Sequence, residues 1–246
     1  FANCGLPYYL GGVIKNRDSI FVTNIDSIKG KYNVDIRNFS EVTQIDREQK
    51  KVKVKNVKTG EEYFESYDKL LLSTGSYPFV PPMEGVEAEN VFTLWNVADV
   101  DKIYNYINKY QPKSAVIAGG GFIGIEVAEN LLEKGISVTL VEFSAQILPP
   151  LDKDMAKIAE NHIQDKGIKL LLNTGVKSIQ KNGKQVELSN GDIIDTDMTL
   201  LSIGVRPNTM LAKDAGLELN QRGGVIVDEF MQSSDKDIYA IGDMIE

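Results

Sequence analysis

Cysteine occurs once in the 246-residue chain, at Cys4. A single cysteine excludes an internal disulfide, a CxxC redox pair and a cysteine-rich zinc site. Histidine also occurs once, at His162. It lies within Asp152–Lys166, a stretch spaced as an amphipathic helix, and is read there as structural. Ser–His–Asp or Cys–His catalysis within the chain is therefore not expected. No apolar run approaches the roughly 18 residues that suggest a membrane span, and no signal-peptide pattern is seen, so the expected location is cytoplasmic, with no membrane partner. Basic charge is in short supply as well, with 27 Lys and Arg against 35 Asp and Glu and a net charge of −8. Nucleic acid is excluded as a main partner, because phosphate binding needs clustered cations. Lys51, Lys53 and Lys55 form a basic row, but they alternate with Val52 and Val54. Period two of that kind reads as the wet face of a strand.

What is present is ordinary globular material, 42% hydrophobic and 25% charged, enough for one or two domains with their own cores. The chain opens on Phe1 and closes on Glu246 directly after a strand-like segment, so it reads as the middle of something longer. Leu6–Leu10 suggests a helix with Pro7 in its first turn, and Asn24 is placed to cap a second helix running to Tyr32. Strand patterns occupy Val34–Leu72, with a turn at Lys58-Thr59-Gly60. Leu70-Leu71-Leu72 is read as a strand buried on both faces, and Pro78, Pro81 and Pro82 as a linker. Then the rhythm becomes strand, helix, strand: Ser114–Ala118, Phe122–Lys134, Ser137–Val141, Asp152–Lys166 and Ile168–Leu172. That alternation predicts an α/β fold with a parallel sheet and right-handed crossovers. Val176–Ile179, Gln185–Leu188 and Ile193–Asp195 suggest an antiparallel addition turning at Asn190-Gly191. Met198–Ile203 closes this domain, and Val225–Val227 and Ile238–Ala240 read as two further strands.

Gly119-x-Gly121-x-x-Gly124 is a weak signal alone and takes its weight from context. Ala115–Ala118 before it reads as a buried strand, and Ile123, Ile125, Val127, Ala128, Leu131 and Leu132 after it have helical spacing. Gly119 permits a tight turn, Gly121 lets the backbone approach a pyrophosphate, and Gly124 allows close helix–strand contact. The helix opening at Phe122 and Ile123 offers free N–H groups and about half a positive charge to phosphates. Glu142 ends the next strand near the expected offset of about 20 residues, where a carboxylate binds a ribose 2′-hydroxyl. A carboxylate there repels the 2′-phosphate of NADPH, and no Arg follows to accept it, so NADH is the expected cofactor. The bland alternative is a glycine-rich turn that holds no ligand. Glu126 either faces the nicotinamide end of the cleft or lies on a solvated helix face.

Cys4 stands at an expected helix start, where the dipole and free N–H groups favour thiolate. A buried, inert cysteine fits the same pattern. Its surroundings add more. Phe1-Ala2-Asn3-Cys4-Gly5-Leu6-Pro7-Tyr8-Tyr9 resembles the active-site segment of coenzyme A-disulfide reductases and NADH-dependent persulfide reductases. These form the single-cysteine branch of the pyridine nucleotide-disulfide oxidoreductases. The resemblance runs the length of the chain. Leu70–Ser76, with Ser73, Thr74 and Gly75, is similar to the segment touching the flavin. Leu201–Asn208, with Gly204, is similar to the one closing the NADH domain. Tyr239-Ala240-Ile241-Gly242-Asp243 is similar to the motif whose Asp bonds the ribityl chain of FAD, and Asp243-Met244-Ile245-Glu246 resembles the branch's continuation. The resemblance implies hydride transfer from NADH to FAD and electron delivery to Cys4, which acts as nucleophile and redox carrier on a small thiol or disulfide substrate such as a coenzyme A derivative. It implies that Asn3 orients that substrate, that Glu126 lies near the nicotinamide and that Arg37 contacts coenzyme A phosphates. Read plainly, Arg37 is an exposed arginine.

Two features of the resembled family are missing from these 246 residues: the upstream FAD fingerprint and the C-terminal dimerisation domain. The expectation is therefore a core fragment of a homodimeric enzyme. It combines a Rossmann-like three-layer NAD(P)H-binding domain at 82–206 with a partial FAD lobe formed by 1–81 and 207–246. Taken alone it is expected to bind FAD weakly or not at all, and to lack turnover. An NADH oxidase or peroxidase of the same superfamily and an inert nucleotide-binding fragment are the alternative readings.

Overall fold

A computed structural model describes residues 1–245. The chain divides into two compact units, Phe1–Asn24 with Pro78–Gly204, and Ile25–Tyr77 with Val205–Glu246. In the first, five parallel strands stand in the order Val91–Phe92, Met198–Leu201, Ser114–Ala118, Ser137–Val141, Lys169–Leu171. The pleat sends alternate residues to opposite faces. Ala115, Ile117, Val138 and Leu140 join a core shared with the helices. Val116 and Val141 pack instead with Val186 and Leu188. Those two belong to an antiparallel meander of Val176–Gln180, Gln185–Leu188 and Ile193–Asp195. The result is three layers, helices, sheet and meander, as expected.

Two further helices extend this unit: Gly5–Gly11 packs on the glycine-loop helix, Phe122–Glu133, and Val97–Tyr110 packs on Gly5–Gly11. Val97–Tyr110 was not anticipated; Asn96 caps it by accepting from the Asp99 amide, and Val100, Ile103, Tyr106 and Ile107 form its buried stripe. The other is Gly5–Gly11, which buries Leu6, Pro7, Tyr9 and Leu10. Its last residue packs so closely on the glycine-loop helix that a Cβ on Gly11 would sit 2.0 Å from Asn130 Oδ1. Tyr9 stacks on Tyr104 at 4.9 Å, and Arg17 grips Asp101 through two bonds of 2.8 and 2.7 Å. These contacts group Phe1–Asn24 with the nucleotide unit, so the unit boundaries fall after 24, 77 and 204, and not after 81 and 206 as expected. Local spacing cannot report this, because it depends on which surface the first helix covers.

The second unit contains a helix at Ile25–Tyr32 and an antiparallel sheet of Ser40–Asp46, Lys51–Asn56 and Glu62–Ser66. Val52 and Val54 are buried while the intervening lysines are not, and Lys53 pairs with Glu62 at 2.6 Å. Leu70–Leu72 pairs in parallel with Ile238–Ala240. Leu72 is buried but Leu71 is 56% exposed, which corrects the expectation of a strand covered on both sides; this ladder has one covered face. Val225–Val227 is not a strand either: only Val225 is paired there, by isolated bridges to Leu219 and Ile245. Pro78 ends a short strand, Ser76–Pro78, so the linker begins later than expected. Of the closing motif, Glu246 lies outside the described residues.

Candidate functional site

The glycine loop follows the Ser114–Ala118 strand, and each glycine has a separate steric reason. Gly119 has φ +106°, and a Cβ there would lie 2.3 Å from the Ser202 carbonyl oxygen. A Cβ on Gly124 would lie 2.0 Å from the Gly119 carbonyl oxygen. At Gly121 a Cβ would meet nothing within 4 Å, so its backbone borders open space. The helix it opens begins at Phe122, and first-turn amides such as those of Phe122, Ile123 and Gly124 have no intrahelical acceptor.

Beside the loop lies a cavity of about 300 Å³ lined by residues including Gly119, Gly121, Glu142, Phe143, Ser202 and Gly204. Glu142 is 8% exposed, and both of its oxygens accept backbone bonds. Oε2 accepts from the Gly120 amide at 2.6 Å and Oε1 from the Ser144 amide at 2.7 Å. The carboxylate thus ties the glycine loop to the turn after its own strand, and no Lys or Arg lines this cavity.

A second cavity, about 430 Å³ and strongly apolar, is lined by Asn3, Cys4, Leu6, Pro7, Leu94, Trp95, Phe122, Ile123 and Glu126. Cys4 is exposed and is the N-cap residue of the Gly5–Gly11 helix. Glu126 lines this cavity and is half-buried. Burial, and secondarily the nearby Glu129, raise the Glu126 carboxyl above its ordinary pKa. The backbone carbonyl of Glu126 accepts from the Asn130 side chain at 2.8 Å.

The candidate flavin-side residues and Arg37 lie in the second unit. Thr74 Oγ1 donates to the Asn208 carbonyl at 2.5 Å, the Asn208 amide donates to the Gly75 carbonyl at 2.8 Å, and Ser76 Oγ donates to Asp243 at 2.9 Å. Ser73 Oγ is 4.0 Å from where a Cβ on Gly242 would stand. Arg37 is exposed and donates to Asp35, Glu65 and Tyr63, with Glu65 foremost in raising its pKa. A phosphate would have to compete with two carboxylates there. His162 is exposed on the Lys153–Asp165 helix. Among the described residues no acidic, Cys or His group is arranged to hold a metal, and no helix is long and apolar enough to cross a membrane.

Sequence reasoning overlooked Leu94, Trp95, Phe143 and Ser202 as cavity-lining residues. Trp95 is the lone tryptophan and Phe143 directly follows Glu142, which is the only local signal either one gives.

The model of the pyridine nucleotide-disulphide oxidoreductase family matches residues 1–246. The chain belongs to that family. It is 37% identical to an NADH oxidase of Methanocaldococcus jannaschii over all of this chain and 55% of that protein. It is 31% identical to a coenzyme A disulfide reductase of Staphylococcus haemolyticus over all of this chain and 54% of that protein. Among solved structures, reduced Bacillus anthracis CoADR-RHD superposes with a TM-score of 0.97 at 48% identity, over the whole chain and 44% of its own. A NAD-dependent persulfide reductase from A. fulgidus gives 0.93 at 36%, over the whole chain and 46% of its own. The chain thus spans about half the length of the curated relatives it matches.

Proposed function

We propose that this chain is the core of a FAD- and NADH-dependent reductase of small disulfides or persulfides, coenzyme A derivatives foremost, with Cys4 as its redox sulfur. One observation carries the reading: Asn3 and Cys4 share an apolar cavity with Phe122, Ile123 and Glu126, at the start of the helix that the glycine loop opens. The neighbouring cavity supplies what a dinucleotide needs. It has an open backbone at Gly121, a buried carboxylate at Glu142 for the adenosine sugar, and no cation for a 2′-phosphate. Thr74, Ser76, Gly242 and Asp243 offer a polar edge suited to the sugar-like chain of FAD. When bound, FAD would pass the electron pair of NADH to sulfur.

The chemistry balances as NADH + H⁺ + RSSR → NAD⁺ + 2 RSH. Cys4 thiolate attacks one substrate sulfur, one RS⁻ leaves and takes a proton, and a mixed disulfide forms on Cys4. Two electrons then release the second RSH and restore the thiolate. Leu6, Leu94 and Trp95 give the cavity beside the sulfur apolar walls, Asn3 orients the incoming substrate, and burial raises the pKa of Glu126 on the same cavity. A homodimeric parent suits this reading.

The likeness to an NADH oxidase supports a second reading, in which Cys4 cycles through sulfenic acid. Two measurements separate them. Treating the chain with coenzyme A disulfide should give a single adduct on Cys4 by mass spectrometry, lost in Cys4→Ser. The full-length protein should then oxidise NADH only with that disulfide present. Steady oxygen or peroxide consumption would favour the oxidase, and a missing adduct would overturn the thiol-substrate reading.

A further inference from the structure

Phe143 is the most exposed of the large hydrophobic side chains, at 78%, yet it lines the cavity that contains Glu142. An exposed ring at a cavity mouth is costly in water and suits a site that meets an apolar partner. The Gly175 backbone of the same cavity comes close to it. A Cβ on Gly175 would lie 3.2 Å from Phe143 Cδ2. Gly175 does not have a positive φ, so its backbone alone does not require glycine. A side chain there would crowd the ring by a few tenths of an ångström. Val176, Pro149 and Ile203 add apolar surface to the same cavity, and the carboxylate of the adjacent residue is fixed by two backbone amides.

We infer that Phe143 is a positioning residue that clasps the purine ring of the dinucleotide, stacking on it while Glu142 holds the neighbouring sugar. This deepens the NADH reading and rests on it. A flat, π-rich base is the ligand chemistry that matches an exposed aromatic ring beside a sugar-binding carboxylate, because stacking needs no particular donor pattern. The nicotinamide end carries no such requirement at this cavity.

The experiment is calorimetric titration of the 246-residue chain and its Phe143→Ala and Phe143→Tyr variants with NADH, 5′-AMP and reduced nicotinamide mononucleotide. Phe143→Ala should weaken NADH and 5′-AMP by about tenfold, in the range stacking supplies. It should leave the mononucleotide unchanged, and Phe143→Tyr should restore the loss. Equal NADH affinity in Phe143→Ala, or an equal loss for the mononucleotide, overturns the clasp while leaving the NADH site intact. If the unaltered chain binds none of the three, the NADH reading itself fails and the clasp falls with it. Because the ring is exposed, thermal midpoints should be nearly the same in all three proteins, and a large drop in Phe143→Ala would assign the ring to folding instead.

Discussion

Replacing Glu142 by Gln tests whether its carboxylate organises the nucleotide site or only decorates it. In the folded chain Oε2 and Oε1 accept from Gly120 and Ser144 at 2.6 and 2.7 Å. A glutamine keeps the shape but has one acceptor oxygen, so one of the two amides would face an NH2 donor. A hydrogen bond to a charged group contributes about 1.5–3 kcal/mol, and losing one here should cost about 2 kcal/mol. At about 2–4 °C per kcal/mol for a chain of this size, the thermal midpoint should fall by roughly 4–8 °C. Freeing Gly120 also loosens the loop, and NADH affinity should drop by about tenfold, equivalent to about 1.4 kcal/mol. Glu142→Arg removes both acceptors; it should lower the midpoint further and move preference from NADH toward NADPH. Circular dichroism melting and calorimetry read the two effects, with exposed Glu133→Gln as the control. A Glu142→Gln protein with unchanged midpoint and unchanged NADH affinity would refute the tethering role, and unchanged NADH selectivity in Glu142→Arg would count against the sugar contact.

Thr199 Oγ1 is buried without a hydrogen-bond partner in the Met198–Leu201 strand. Thr199→Val should therefore raise stability by about 1 kcal/mol, checked by urea unfolding, since an unsatisfied buried hydroxyl carries a desolvation cost. Gly124→Ala places its Cβ 2.0 Å from the Gly119 carbonyl oxygen. It should abolish measurable NADH binding and cost about 1–3 kcal/mol of stability. Asp237 is held by Lys50 and Lys69, which lower its pKa to about 2. A carboxyl depressed in the folded state gives stability that is fully present above its unfolded value near 3.9 and is lost as pH falls toward 2. Melting midpoints across that window should fall less steeply in Asp237→Asn than in the unaltered chain.

The nucleotide unit was legible in sequence because its signals are local and redundant. The Ser114–Ala118 strand, the glycine turn and the apolar spacing of Phe122–Glu133 all require one another; Gly119 and Gly124 each meet a close backbone contact, while Gly121 borders open space. The Val97–Tyr110 helix had comparable signals, an Asn96 cap and a 100, 103, 107 stripe, but it was hidden in the interval after a proline-rich stretch. Leu71 failed for a different reason: three consecutive leucines do not reveal whether a sheet is covered on one face or two. Residues 225–227 have strand composition without a neighbouring chain to pair with over their length. The cavity residues Leu94, Trp95 and Phe143 were illegible for the same kind of reason, since their role depends on segments distant in sequence meeting one another. Cys4 and Glu126 were each visible as candidates, yet only the packing of Gly11 against Asn130 shows why their helices lie together.

Calorimetric competition between NADH and NADPH on the 246-residue chain tests the central claim most directly. The account predicts one NADH site per chain, at least tenfold tighter than NADPH, and displaced by 5′-AMP. A chain that takes up no NADH, or that binds NADPH equally well, would contradict it.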